Sequence, residues 1–365
     1  MLKAGMVGVG CISKIYLKNF AEVFKDIELV AVCDLIEERA QNAKDEYNIP
    51  KLYKTMDELF ADPEIDIVLN LTRPYQHYEV SKAALLAGKH VYSEKPLGAD
   101  LDEGIELVKL AEEKGLLIGG APDTFMGAGI QTCRKLIDNG LIGRAIGGRF
   151  AFASHGVETW HPDPDFYFQR GGGPLLDMGP YYITALINLL GGIKSVSAYS
   201  STAFSERLIT SEPHKGETII VNTPTHYEAF ITLESDVTVS LLTSFDVYNT
   251  KQPRIEIYGT KGTLYVPDPN TFGGTIEFFD GETKELKELP LEFDYSENSR
   301  CLGLADMAKA ISDNRPGRTT YLQTFHVLEA MCGIMKSAET GMPYTMATKY
   351  TRTQPMDPTL PHGVL

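Results

Sequence analysis

The sequence lacks the features of disulfide-rich, nucleic-acid-binding and membrane proteins. It has only five cysteines in 365 residues, an odd number with no Cys-x-x-Cys pair, which is typical of reduced thiols. Lys and Arg number 34 against 49 Asp and Glu, and the net charge of −15 argues against nucleic acid or an anionic membrane as partner. No apolar run has membrane-spanning length, and the N-terminus leads into a glycine-rich turn rather than a signal peptide. We therefore expect a cytoplasmic protein.

The composition is that of a globular protein, with 43% apolar and 23% charged residues. A chain of 365 residues exceeds the usual size of one hydrophobic core, so two domains are expected. The sequence pattern changes near residue 123. We therefore predict two domains, over residues 1–122 and 123–365.

Short apolar segments alternate with amphipathic helical patterns in the first third of the chain. The apolar segments are 2–8, 27–33, 65–71, 90–93 and 116–119, and the helical patterns are 12–24, 35–46, 75–87 and 101–114. This alternation is typical of a parallel sheet with both faces buried. Thr55 and Glu58 form a capping-box pattern, and Asp100 precedes a helix as a cap would. Gly88 and Gly115 stand where helices should end.

The first strand-to-helix turn has the pattern of a dinucleotide-binding loop. Its two glycines allow a tight turn in which backbone N–H groups approach a pyrophosphate at the helix N-terminus. Asp34 ends the second strand, about 20 residues later, where an acid binds ribose hydroxyls and repels a 2′-phosphate. NAD is therefore favoured over NADP, although Arg39 could soften the preference. The cofactor-binding residues predicted here are Gly8, Gly10, Cys11, Ile12, Ser13 and Asp34.

A Glu-Lys-Pro sequence follows the fifth predicted strand. Glu94 and Lys95 lie just past its carboxyl end, the edge at which open α/β sheets bind ligands. A charged loop with Pro96 ending the strand is the structural alternative. Beside a nicotinamide site, however, a lysine at this position favours a role in the chemistry.

Four stretches together resemble the glucose-fructose oxidoreductase / inositol 2-dehydrogenase (Gfo/Idh/MocA) family. They are Gly8-Val9-Gly10, NLTRPYQHYEV at 70–80, SEKPLG at 93–98 and GGGPLLDMGPYY at 171–182. The resemblance implies an α/β protein with an N-terminal Rossmann parallel sheet and a C-terminal α/β domain whose open sheet is mostly antiparallel. It also implies a nicotinamide cofactor, and a homodimer or homotetramer formed through the C-terminal sheets.

The resemblance also assigns residues around the cofactor. In the family the lysine of Glu-Lys-Pro contacts both cofactor and substrate, which points to Lys95 with Glu94 beside it. The threonine and proline after the fourth strand line the cofactor, which points to Thr72 and Pro74. Arg73 and His77 lie nearby in the sequence and are included in the predicted site.

The stretch at 171–182 combines three glycines with an acid and two tyrosines. We expect the glycines to let the chain pass close to a ligand and the helix to begin near Asp177, with Pro180 in its first turn. Asp177 could then be an N-cap. The resemblance gives this aspartate another role, in which it orients the catalytic residue and a substrate hydroxyl. Tyr181, four residues on, shares its helix face, and Tyr182 is expected to pack.

Most family members have histidine at the position of Tyr181. Oxidising an alcohol requires a group that takes up the hydroxyl proton, and a free tyrosine, titrating near pH ~10, suits this less well than histidine at ~6.5. A neighbouring ammonium stabilises a phenolate, so Lys95 beside Tyr181 would make a workable pair. Some family members, including glucose-fructose oxidoreductase and dihydrodiol dehydrogenases, carry tyrosine here. The alternative is that Tyr181 only packs.

The segment 153–173 is rich in aromatic and polar side chains, which suits a sugar or polyol. A lid that packs on its own domain is the alternative. The spacing of His155, Glu158 and His161 matches no zinc motif and hydride transfer requires no metal, so none is expected. Arg300 could reach the site or form a surface salt bridge. The predicted substrate-binding residues are Trp160, His161, Tyr167, Arg170 and Arg300.

These observations predict an NAD-dependent dehydrogenase acting on a secondary alcohol of a sugar, an inositol or a related polyol. Lys95, Asp177 and Tyr181 are the predicted catalytic residues. One alternative is a dehydrogenase or reductase of a cyclic diol or dicarbonyl, suggested by Tyr181 and the aromatic segment. The other is a cofactor-binding regulator without catalysis, against which the presence of both Lys95 and Tyr181 argues.

Overall fold

The computed structural model describes all 365 residues. Their contacts divide the chain into two compact units. The first unit contains residues 1–127, 293–325 and 353–365, and the second contains 128–292 and 326–352. The predicted boundary at residue 122 separates the sheets, but it does not anticipate that the chain returns to the first unit.

Helices and strands alternate regularly only in the N-terminal third. The helices are α1 (Ser13–Glu22), α2 (Glu37–Tyr47), α3 (Met56–Ala61), α4 (His77–Leu86), α5 (Leu101–Lys114), α6 (Ala128–Asp138), α7 (Gly173–Leu190), α8 (Leu302–Ser312) and α9 (Tyr321–Thr340). The strands are β1 (Leu2–Val7), β2 (Ile27–Cys33), β3 (Lys51–Leu52), β4 (Ile67–Asn70), β5 (His90–Ser93), β6 (Ile118–Gly120), β7 (Ala145–Ala153), β8 (Ile193–Ser201), β9 (Glu206–Leu208), β10 (Thr218–Ile220), β11 (His226–Leu233), β12 (Thr238–Ser244), β13 (Ile255–Gly259), β14 (Gly262–Val266), β15 (Ile276–Asp280), β16 (Leu286–Leu289) and β17 (Tyr344–Thr345).

The first unit is built on a parallel sheet of six strands in the order β3-β2-β1-β4-β5-β6. Its central strands are almost wholly buried, which explains their continuous apolar sequences. The predicted parallel sheet is therefore confirmed. The strand order reverses between β1 and β4, and a crevice for ligands forms at the carboxyl ends of strands at such a point.

The helix boundaries of the first unit follow the signals in the sequence. The side chain of Thr55 accepts a hydrogen bond from the backbone N–H of Glu58, and the Glu58 side chain bonds back to Thr55, as the capping-box pattern predicts. Asp100 caps α5 through the N–H of Glu103. Gly115 ends that helix in the left-handed conformation, with φ of 64°.

The second unit contains a nine-stranded sheet in the order β16-β15-β14-β13-β7-β12-β11-β8-β17. All neighbours are antiparallel except β7 and β12, so the predicted mostly antiparallel sheet is confirmed. Burial alternates along β8 and β11, which places one sheet face in the core and leaves the other open. A separate hairpin of β9 and β10 lies outside this sheet.

The C-terminal segments of the first unit are held to its N-terminal part, and to each other, by side-chain donors to backbone carbonyls and by a backbone bridge. The Asn19 amide on α1 donates to the carbonyls of Asn298, at 3.0 Å, and Arg300, at 2.7 Å. Gly119 on β6 forms an isolated bridge with Thr320. The Arg318 guanidinium donates to the carbonyls of Gln354 and Pro355 in the tail. These contacts explain why a single boundary near residue 122 does not describe the chain.

All five cysteines are free thiols. No helix in the 365 residues combines the length and the apolar character needed to cross a bilayer. The cytoplasmic location remains a prediction from the sequence.

Candidate active site

The turn after β1 lies where the strand order of the parallel sheet reverses. Gly8 has φ of +98° and its N–H donates to the Cys33 carbonyl at 2.9 Å. A Cβ at Gly8 would lie 2.7 Å from the carbonyl oxygen of Leu71, at the end of β4. Only glycine therefore fits at this position, because the loops after β1 and β4 approach each other there.

Gly10 faces open space, since a Cβ built there would meet no atom within 4 Å. Helix α1 begins at Ser13 with no side-chain cap and no acidic residue in its first turn, so the positive end of its dipole is directed at the glycine turn. The Ser13 hydroxyl donates to the Gly10 carbonyl at 2.7 Å and holds the turn against the helix. Cys11 is exposed, Ile12 is half-buried, and the turn has the shape and charge that a pyrophosphate requires.

Asp34, at the end of β2, is oriented by backbone groups on both sides. The Val9 N–H donates to its Oδ2 at 2.6 Å, and the Ile36 N–H donates to its Oδ1 at 2.7 Å. The carboxylate therefore lies directly at the glycine turn. This is the position from which an acid can accept hydrogen bonds from the ribose of a dinucleotide.

The loop after β4 is shaped by two buried side chains. The Asn70 amide donates to the His77 carbonyl and the Ser81 hydroxyl, and its Oδ1 accepts the Thr72 hydroxyl at 2.6 Å. The two ring nitrogens of His77 face the carbonyls of Pro96, at 2.8 Å, and Thr72, at 3.0 Å. Burial lowers the pKa of His77, which favours the neutral ring. Its two contacts place the ring between the loops after β4 and β5.

The remaining predicted residues of this loop lie at its outer edge. Pro74 begins a short 3₁₀ turn and is half-buried, and the side chain of Arg73 is exposed. Asn70 was not among the residues predicted from the sequence. Its position as a polar residue ending a buried strand is the signal that could have identified it.

Lys95 follows β5 at the same edge of the sheet and is half-buried. Its N–H donates to Glu94 Oε2 at 3.2 Å, and the Tyr16 hydroxyl donates to Glu94 Oε1 at 2.8 Å. The Glu94 N–H donates to the Asn70 carbonyl at 2.9 Å. The Glu-Lys-Pro loop is thus fixed to both α1 and β4.

Asp123, just past β6, is a buried carboxyl at this edge that sequence reasoning missed. Its Oδ2 accepts the N–H of Gly303 at 3.0 Å. Burial raises the pKa of Asp123 to about 6, and the charge of Arg300 opposes that rise. Arg300 thus lies within electrostatic reach of a buried acid, and its guanidinium also donates to the Asn298 side chain. The rule that selected Lys95, a polar residue at a strand's carboxyl end, would also have selected Asp123.

Asp123→Asn should reduce the pH dependence of stability. The folded-state pKa of about 6 lies above the ordinary 3.8, so the protonated form favours the fold and this contribution is lost as pH rises through about 6. The loss should be on the order of 3 kcal/mol. Thermal unfolding of both proteins between pH ~4 and pH ~7 tests this. In curves of melting temperature against pH, the value for the unchanged protein should fall towards, or below, that of Asp123→Asn as the pH rises. Parallel curves for the two proteins would contradict this.

In the second unit, α7 begins at Gly173 rather than near Asp177 as predicted. Pro174 occupies its first turn and Gly172 is the N-cap, so Asp177 lies inside the helix and caps nothing. Pro180 stands in the interior, where it removes one backbone hydrogen bond. The helix is nevertheless almost fully buried over its length, and this packing outweighs the local effect of the proline.

The three glycines at the start of α7 either have positive φ angles or lie close to backbone carbonyls of the chain. Gly171 and Gly173 both have φ of +84°. A Cβ at Gly172 would lie 2.5 Å from the Phe166 carbonyl oxygen, and one at Gly173 would lie 3.1 Å from that of Pro224. The chain itself thus approaches Gly172 and Gly173 closely, and the expected approach of a ligand to this stretch stays a prediction.

Asp177 and Tyr181 lie one turn apart on α7, as their spacing predicts. Asp177 is half-buried and Tyr181 is buried. Tyr182 is completely buried with its ring 6.3 Å from that of Phe152, which confirms that it packs. Burial raises the pKa of the Tyr182 phenol far above its usual value, so this neighbour stays protonated.

The aromatic segment before α7 divides into a packed part and an exposed part. Phe168 is in a core cluster with Val157 and Phe245, and Tyr167 packs against that cluster. The His161 ring lies 5.1 Å from that of Tyr167 and 5.4 Å from that of Trp160. Trp160 is 64% exposed and Arg170 is exposed. The packing alternative thus holds for Phe168, and Trp160 presents its ring to solvent.

A buried ion cluster that the sequence did not reveal fastens this segment. The Arg207 guanidinium on β9 pairs with Glu158 at 2.9 Å and with Asp246. It also donates to the backbone carbonyls of His155 and Phe245. Arg207 is almost fully buried, and its loss would leave the two largely buried carboxylates of Glu158 and Asp246 without their cation. The Glu158 carboxylate, which the sequence places near His155 and His161, is thus engaged in an ion pair with Arg207.

Comparison with known proteins assigns the family. Residues 2–120 match the model of an oxidoreductase family with an NAD-binding Rossmann fold, and residues 130–265 match the GFO/IDH/MocA C-terminal domain. The chain belongs to the Gfo/Idh/MocA oxidoreductase family, as its motifs suggest.

Individual relatives are similar to parts of the chain. D-xylose dehydrogenase of Paenarthrobacter nicotinovorans is 27% identical over 47% of this chain and 45% of its own length. Inositol 2-dehydrogenase of Salmonella typhimurium is 36% identical over 40% of this chain and 44% of its own length. The chain thus aligns with less than half the length of these relatives.

A solved structure extends the likeness over nearly the whole chain. Levoglucosan dehydrogenase in complex with NADH and levoglucosan superposes with a TM-score of 0.80 at 20% identity, over 94% of this chain and 98% of that one. At this identity the likeness establishes a common fold.

Proposed function

We propose that the protein is an NAD-dependent dehydrogenase that oxidises a secondary alcohol of a sugar, an inositol or a related polyol. The observation that carries the proposal is the arrangement at one edge of the parallel sheet. There the glycine turn, Asp34, the Thr72 loop and Lys95 follow β1, β2, β4 and β5. The names of the relatives, which include xylose, inositol and levoglucosan dehydrogenases, support the substrate class.

The proposed chemistry divides between three side chains. Bound NAD would accept the hydride from the substrate carbon. The Lys95 ammonium polarises the reacting oxygen, and Tyr181, reacting as a phenolate, takes up the hydroxyl proton as the hydride leaves. Asp177, one turn before Tyr181 on α7, accepts a hydrogen bond from a substrate hydroxyl and orients it. The exposed Trp160 ring suits the C–H face of a sugar.

Further substrate contacts are proposed for His161, Tyr167, Arg170 and Arg300. Cofactor contacts are proposed for Gly8, Gly10, Cys11, Ile12, Ser13, Thr72, Arg73, Pro74 and Glu94. The buried position of His77 favours a role in spacing the two loops over direct contact with the cofactor.

A panel of alcohols tests the substrate class. It should contain pentoses, hexoses, inositols, anhydrosugars and a cyclic trans-diol, each supplied with NAD, and NADH formation would be followed by absorbance. Oxidation of a sugar or polyol is expected. Exclusive oxidation of the cyclic diol would favour the alternative dehydrogenase, and NADH binding without any turnover would favour a cofactor-binding regulator.

Asp34 should determine the choice of cofactor. Its carboxylate lies at the Val9 N–H, where a 2′-phosphate would meet its negative charge. The protein should therefore bind NADH more tightly than NADPH. Asp34→Ser should narrow that difference in affinity, because it weakens the binding of NADH and strengthens the binding of NADPH. Fluorescence titration of both cofactors measures this, with Asp45→Ser on exposed α2 as the control. Tighter binding of NADPH by the unchanged protein would contradict the assignment.

We also propose that copies of the chain associate through the open face of the nine-stranded sheet. Tyr199 on β8 and Phe230 on β11 are 77% and 63% exposed, and the strand register places them as diagonal neighbours. Large exposed apolar side chains on one sheet face mark an interaction surface. Light scattering should give the mass of a dimer or tetramer, and Phe230→Glu should lower it. A monomeric mass for the unchanged protein would overturn this.

A further inference from the structure

The carboxylate of Glu94 is bonded at both of its oxygens behind the loop that carries Lys95. Tyr16 is completely buried, and its hydroxyl donates to Glu94 Oε1 at 2.8 Å. The other oxygen, Oε2, accepts the backbone N–H of Lys95 at 3.2 Å. A buried carboxylate is stable only when it is hydrogen-bonded, so these two donors determine where Glu94 lies.

The remaining polar groups of Glu94 are also occupied. Its N–H donates to the Asn70 carbonyl at 2.9 Å, and its own carbonyl accepts the Ser93 hydroxyl at 3.0 Å. The second buried acid, Asp123, lies close enough for the charge of Glu94 to raise its pKa. With a like charge so near, loss of the Tyr16 hydroxyl would leave the Glu94 carboxylate with one fewer donor beside a second acid, which favours its displacement.

Tyr16 belongs to α1, one turn after Ser13 and the glycine turn. The chain of contacts therefore runs from the helix that begins at the glycine turn, through the Tyr16 hydroxyl and the Glu94 carboxylate, to the peptide of Lys95. Two segments that lie far apart in the sequence are joined by one hydroxyl group.

We propose that Tyr16 is a positioning residue, which through Glu94 fixes the backbone of Lys95 relative to the glycine turn. The inference rests on the proposed function of Lys95 in catalysis. A lysine whose peptide moves by about 1 Å would present its ammonium wrongly to the reacting oxygen, and such a displacement lowers rates by up to roughly 10²-fold.

Tyr16→Phe keeps the ring and deletes the hydroxyl. In this variant kcat should fall roughly 10-fold or more, while the Kd of NADH changes far less. Tyr53→Phe is the matched control, because its hydroxyl also donates to a carboxylate of the first unit, that of Asp62, at 2.8 Å. The control should keep its turnover. If Tyr16→Phe folds poorly, Glu94→Gln is the second variant. It replaces one of the two accepting oxygens by an amide NH₂, so its kcat should fall in the way expected for Tyr16→Phe.

A second measurement does not depend on activity. The Lys95 amide should exchange its hydrogen roughly 10-fold faster in cofactor-free Tyr16→Phe than in the unchanged protein, and Tyr53→Phe should leave this rate unaltered. Normal turnover with Tyr16→Phe, together with an inactive Lys95→Ala, would overturn this inference alone. Full turnover with Lys95→Ala would overturn both this inference and the proposed function.

Discussion

Lys95→Ala is expected to lower turnover on any accepted substrate by roughly 10²-fold or more, with the affinity for NADH changed far less. The side chain supplies the positive charge proposed to act on the reacting oxygen. That charge matters most where the alcohol oxygen becomes negative, so its loss should appear in kcat. Steady-state kinetics and a fluorescence titration separate the two effects.

Lys109→Ala is a suitable control for the lysine. Lys109 lies on the exposed side of α5 in the same unit, so its removal takes away an equal charge at a distance from the loop. Its turnover should match that of the unchanged protein. If Lys95→Ala altered only ligand affinity, and no sugar or polyol reduced NAD, the protein would be better described as a regulator.

Tyr181→Phe should have the larger effect on catalysis, roughly 10²- to 10⁴-fold in turnover. The change retains the buried ring and deletes the one group on it that can carry a proton. The melting temperature should barely move, because a single hydroxyl contributes only about 1 kcal/mol to stability. Kinetics and thermal unfolding on the same preparation test both statements.

Two further variants sharpen this test. Tyr181→His should recover part of the activity and move the alkaline optimum to lower pH, since imidazole titrates several units below phenol. Tyr182→Phe is the matched control, as its hydroxyl is buried beside Phe152 and remains protonated. Near-normal turnover with Tyr181→Phe would show that the proton leaves by another route, through Lys95 or a water molecule.

The sequence predicts those features that depend on local chemistry. Gly8 follows a buried strand and opens a helix, and Asp34 ends the next strand, so both could be placed at one sheet edge without coordinates. Each of these signals is contained in a few neighbouring residues, where the periodicity of the backbone constrains the structure.

The features that were missed depend on partners far away in the chain. The contacts of Arg207 with Glu158, and of Tyr16 with Glu94, join residues about 50 and 80 positions apart, and no local pattern announces them. The strands β15 and β16 are short and half polar, which hides their periodicity. The start of α7 was placed too late because the rule against proline in helices is local, whereas the burial of this helix is not.

The return of the C-terminal segments to the first unit bears on how the protein is synthesised. The sheet strands β1 to β6 leave the ribosome first, but the partners of Asn19 and Gly119 lie at residues 298–320, and the tail that Arg318 binds follows residue 352. The nucleotide-binding unit cannot reach its final set of contacts until translation is nearly complete. A fragment that ends at residue 122 would therefore expose surfaces that the last third of the chain normally covers. During synthesis the N-terminal part is made first, yet it completes its contacts last, so these surfaces stay accessible to chaperones until the end of translation.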